Sequence, residues 1–105
     1  MIVCQDEIRD AIEHELVAAN EIHPLFVSLH ESYAVILEEL EEAEEQLELC
    51  KTQLELAWER IRSDNITPAL ITMRSIERAA EHLAEEACQV SAMAIKAQQS
   101  EIRWK

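Results

Sequence analysis

The chain runs for 105 residues without a single glycine. Backbone that only glycine adopts cheaply is therefore missing from its repertoire. A phosphate-cradling Walker loop, a dinucleotide-binding turn and a strained nucleophile elbow all need such backbone, and these classes of site are excluded. What remains is regular structure. Valine, threonine and aromatic residues are sparse beside Ala, Leu and Glu, which favours an all-α fold. The length allows one domain, spanning 1–105.

Breakers fall in two places. Asn20–Pro24 forms one joint and Ser63–Pro68 the other. Before the first joint, Ile8, Ala11, Ile12, Leu16 and Ala19 make the apolar stripe of a short helix. Ser28 and Glu31 have capping-box spacing, so a second helix is expected to start near Leu29. Thr67 is the expected cap of a third helix, with Pro68 at its first position, running to roughly Ser100. The second helix repeats Tyr33, Leu40, Leu47, Leu54 and Ile61, beside Ile36, Ala43, Cys50 and Ala57. The third repeats Ile76, Leu83, Val90 and Ala97, beside Met73, Ala80, Ala87 and Ala94. Alternating large and small layers suit packing of one helix on the other, and the short turn makes them an antiparallel hairpin. Val35, Leu37, Leu49, Leu56 and Trp58 lie off this seam. A helix with two apolar faces calls for two partners, and a homodimer or tetramer that completes a four-helix bundle is expected.

Charge narrows the partners. Twenty-two acidic and nine basic residues leave a formal −13, which argues against direct nucleic-acid binding. Cys4, Cys50 and Cys88 lack Cys-x-x-Cys spacing and read as reduced thiols. With no apolar run of signal or membrane-spanning length, a soluble cytoplasmic protein is expected, without a membrane partner.

Seven glutamates stand between positions 38 and 48 with no base among them. Glu38, Glu41, Glu45 and Glu48 suit a solvated face. Glu39 and Glu42 flank the seam instead, and on the third helix Glu86 and Gln89 take corresponding heptad places. If the turn centres on Asp64, Glu39 and Gln89 are equidistant from it, as are Glu42 and Glu86. Two Glu-x-x-Glu/Gln pairs then arrive at one level from facing helices. Three carboxylates and an amide make a hard-oxygen site suited to Mg²⁺ or Mn²⁺, with Glu39, Glu42 and Glu86 as ligands. Farther along the third helix, Lys96 is placed to hold a phosphate, opposite Ser32 and Tyr33; His30 is close enough to join Tyr33 in a substrate pocket.

The stretches 19–43 and 86–96, together about a third of the chain, resemble phage- and prophage-encoded MazG-like proteins of the all-α NTP pyrophosphatase superfamily. The resemblance implies a Mg²⁺-dependent enzyme that splits a nucleoside triphosphate into monophosphate and pyrophosphate. Matched by motif, Glu39 and Glu42 correspond to its first acidic pair and Glu86 to the glutamate of its second, with Lys96 a phosphate contact. Gln89 stands where the family has aspartate, and the 43 residues between Glu42 and Glu86 exceed its usual interval. A neutral amide holds a dication less firmly, so a degenerate relative is also implied. The alternative reading is a non-catalytic acidic helical protein, a phage-type inhibitor or nucleic-acid mimic that occupies the groove of a basic partner.

Overall fold

The computed structural model describes residues 4–22 and 25–101. They form α1 (Gln5–Ile22), α2 (Leu29–Arg62) and α3 (Ile66–Gln99), with no strand among the described residues. The all-α expectation holds. His23 and Pro24 of the first joint lie outside the described residues. No helix among the described residues is long and apolar enough to cross a membrane.

Local chemistry sets the helix ends. The Glu31 backbone N–H donates to Ser28 Oγ at 3.2 Å, which caps α2 where the sequence places its start. Between α2 and α3, Asn65 N–H donates to Arg60 O at 2.9 Å and Asp64 N–H to Ile61 O at 3.1 Å. This is a Schellman closure, which needs left-handed backbone at its pivot. Asp64 supplies it with φ 57°. In a chain without glycine, a short polar side chain is the next least costly occupant. The following helix starts earlier than expected. Asn65 O accepts the first bond from Ala69 N–H at 3.0 Å, so Asn65 takes the capping position assigned to Thr67. Asparagine directly after the pivot is the stronger cap, and Pro68 falls in the first turn, where its missing N–H is no loss.

The chain divides into two compact units, Met1–Leu40 with Glu86–Lys105, and Glu41–Glu85. The first unit is built on Phe26, Ala92 and Met93, with Ile12, Leu16, Ala19, Val35, Ile36 and Ala97 packed against them. Ser100 ties it together. Its hydroxyl accepts from the Phe26 N–H at 2.9 Å and donates to Lys96 O at 2.7 Å. A buried backbone donor just ahead of α2 is thereby satisfied by the end of α3.

The second unit is an antiparallel hairpin with an unexpected seam. Ala57, Ala69, Thr72 and Ala79 are buried. Ala43, Gln46, Cys50, Gln53 and Arg60 are half-buried on α2, as are Ser75, Ile76 and Leu83 on α3. The Ala43–Cys50–Ala57 row and the Ile76–Leu83 row pack inward as expected. Their expected companions do not. Leu47, Leu54 and Ile61 remain 42%, 58% and 46% exposed, and Met73 and Ala80 also face solvent. Gln46, Gln53 and Arg60 take the inward place on α2, and Thr72 and Ala79 take it on α3. Small side chains favour close helix approach, and Arg60 and Thr72, both brought inside, find hydrogen-bond partners. Arg60 Nη1 donates to Pro68 O at 2.8 Å and to Thr72 Oγ1 at 2.5 Å.

Thermal unfolding tests the pivot. Asp64→Val should destabilise by about 1–2 kcal/mol, because a β-branched residue resists left-handed backbone, whereas Asp64→Gly should hold or raise the melting temperature.

Candidate metal centre

Glu39 and Glu42 are one turn apart on α2, and Glu86 and Gln89 one turn apart on α3. Residues three apart on a helix share a face, so each helix offers two polar heads side by side. One carboxylate oxygen from each of Glu39, Glu42 and Glu86 lies within 4.8 Å of the other two, and all three residues are half-buried. Gln89 joins them through its amide. In the orientation that satisfies both of its ends, the nitrogen donates to Glu39 Oε2 at 2.6 Å and to Glu86 Oε2 at 3.2 Å.

The electrostatics are demanding. Two unit charges at 4.8 Å repel by roughly 3 kcal/mol at an effective dielectric constant of about 20. A dication offsets such repulsion, and the donor set suits one. Oxygens around Mg²⁺ at about 2.1 Å stand roughly 3–4 Å from one another, so a small inward adjustment of the three carboxylates is enough. Turned the other way, Gln89 presents its carbonyl oxygen to the same place and can add a fourth neutral donor.

Sequence reasoning did not anticipate the part played by α1. Glu15, Ala18, Ala19 and Ile22 line a groove of about 310 Å³ with Glu39, Gln89 and Met93. That volume is at the lower end for small-molecule sites. The signal for it in the sequence is the adjacent pair of small residues, Ala18 and Ala19, on α1.

The expected substrate contacts lie outside this groove. Lys96 follows Gln89 by two helical turns, roughly 10 Å along α3. It is 3% exposed, and its Nζ sits 4.8 Å from the centre of the Phe26 ring. Burial pushes its ammonium below the usual lysine range, and the Glu31 carboxylate counteracts part of that. His30 and Tyr33 are exposed on the first turns of α2 and do not line the groove. No protein-family model matches the chain, and neither does any curated protein or solved structure.

The Lys96 environment sets a pH dependence. A lysine whose folded pKa is lowered penalises folding fully below that pKa. The penalty fades as pH climbs from there to the ordinary lysine value. Lys96→Met should therefore raise the melting temperature near neutral pH, and the gain over wild type should shrink in alkaline buffer. Equal gains at all pH values would contradict this reading of the burial.

Proposed function

We propose that the chain is a MazG-like, Mg²⁺-dependent nucleoside triphosphate pyrophosphohydrolase, or a degenerate relative, of the small phage or prophage type. It self-associates as a homodimer or tetramer. The observation that carries this reading is the convergence of Glu39, Glu42 and Glu86 within 4.8 Å. Mn²⁺ is the natural substitute for Mg²⁺ at such oxygens.

In this reading Glu39, Glu42 and Glu86 hold the ion. Bound there, it supplies Lewis acidity toward phosphoryl oxygens and a more acidic water. Gln89 orients Glu39 and Glu86 through its amide hydrogen bonds. The groove walled by Ala18, Ala19, Ile22 and Met93 offers an apolar seat for a flat nucleobase beside the carboxylates. Lys96 is the proposed phosphate contact, with His30 and Tyr33 nearer the start of α2. A desolvated ammonium gains from an incoming anion, because the anion restores the stabilisation that water no longer provides.

A second reading draws on different acids. Glu38, Glu41, Glu44, Glu45 and Glu48 are all exposed. A negative surface of this kind suits a non-catalytic protein that blocks a basic groove.

Incubation with each nucleoside triphosphate and Mg²⁺ or Mn²⁺ separates the two. The enzyme reading expects release of pyrophosphate and monophosphate, abolished by Glu42→Gln with helix content unchanged. Gln89→Asp should tighten Mg²⁺ binding, on the order of tenfold. No pyrophosphate from any nucleotide, together with salt-sensitive capture of a basic protein, would favour the second reading.

A further inference from the structure

One carboxylate in the groove beside the candidate centre plays no part in that centre. Glu15, Ala18, Ala19 and Ile22 recur at helical spacing along one face of α1, and they line the groove with Glu39, Gln89 and Met93. All seven belong to the first compact unit. Glu15 is half-buried, and its carboxylate has no hydrogen-bond or ion-pair partner among the described residues. It stands outside the converging set of Glu39, Glu42 and Glu86. Its neighbours along the groove wall, Ala18, Ala19, Ile22 and Met93, are apolar. An acceptor with nothing to accept is thus set into a mostly apolar wall, in the same groove as Glu39 and Gln89.

We propose that Glu15 reads the base in this groove and selects guanine nucleotides. The inference rests on the nucleotide reading above and adds the identity of the base to it. An ionised carboxylate accepts hydrogen bonds and donates none, and its two oxygens suit two adjacent N–H groups lying in one plane. Guanine alone among the common bases carries such a pair, N1–H beside the N2 amine. Adenine and cytosine set a single amine beside the lone pair of a ring nitrogen, which a carboxylate repels. Uracil and thymine set a single N–H between two carbonyl oxygens, which repel it on both sides. In a free nucleotide this pairing edge is open to be read, as it is for a base taken out of a duplex.

The remaining walls suit the rest of the ring. Ala18 and Ala19 leave room for a flat group, and Met93 carries a polarisable thioether of the kind that packs well on aromatic rings. Glu39 and Gln89 belong both to the groove and to the polar cluster, so a base seated here has the carboxylates beside it. The selection is by a buried acceptor that only one base satisfies, and a site of that kind discriminates more sharply than an apolar pocket does.

Calorimetric titration of the full chain in Mg²⁺ tests this, with the α,β-methylene analogues of GTP, ITP, ATP, CTP and UTP as probes that resist cleavage between the α and β phosphates. The guanine analogue should bind on the order of tenfold more tightly than the inosine analogue, which lacks only the N2 amine, and more tightly still than the other three. Glu15→Gln should remove most of this preference with circular dichroism unchanged. Equal affinities for the five probes overturn the proposal, and so does a Glu15→Gln variant that keeps the preference for guanine. A loss shared equally by every probe marks Glu15 as a structural residue and overturns it as well. The comparison of guanine with inosine uses the unaltered chain, so it decides the proposal even where the variant fails to fold. All of these outcomes leave the nucleotide reading standing. A chain that binds none of the five contradicts that reading itself, and this inference with it.

Discussion

Small side chains, alanine above all, hold most of the deepest positions on the long helices, and much of the molecule's chemistry follows from that constraint. Ala57 and Ala92 are fully buried and Ala79 nearly so. Small residues at contact positions favour close approach but bury little apolar area per residue. The rows beside them are correspondingly polar: Gln46, Gln53, Arg60 and Thr72 in the hairpin unit, and Glu39, Glu86 and Gln89 at the candidate centre. Polar groups turned inward have to be satisfied. Arg60 does this near the turn by bonding Pro68 and Thr72. Gln89 does it among the carboxylates by bonding Glu39 and Glu86. The proposed divalent ion draws on the convergence of the same oxygens.

Much of this architecture is legible in the sequence because it rests on local signals. Ser28 with Glu31 marks the start of α2, and the turn at Asp64 sets a mirror point that pairs Glu39 with Gln89. Those two groups are in hydrogen-bond contact. The choice of inward row is less legible. On α2 the Ala43–Cys50–Ala57 row has a heptad neighbour on either side, one of leucines and one of Gln46, Gln53 and Arg60. Hydrophobicity favours the leucines, whereas in the structure the polar neighbour lies inside. Periodicity alone does not separate two adjacent rows with the same repeat. The burial of Lys96 was equally hidden. It depends on Phe26, seventy residues away in sequence, arriving over the ammonium.

The choice of inward row also leaves Leu47, Leu54 and Ile61 exposed on the hairpin unit. A chain without glycine has no backbone cradle for phosphate. Under the proposed function its means of holding phosphate are side-chain oxygens around a dication and the desolvated Lys96. Gln89 sets the proposed strength of the centre, since three carboxylates and an amide carry one negative charge fewer than four carboxylates.

The most direct test is a titration of isotope-labelled protein with Mn²⁺, followed by paramagnetic broadening of its backbone amide resonances. A built centre predicts that the first amides to broaden lie around Glu39–Glu42 on α2 and Glu86–Gln89 on α3, at substoichiometric metal, and that excess Mg²⁺ reverses the effect. Broadening spread evenly over Glu38, Glu41, Glu44, Glu45 and Glu48 with α3 unaffected would show a diffuse acidic surface and contradict the account.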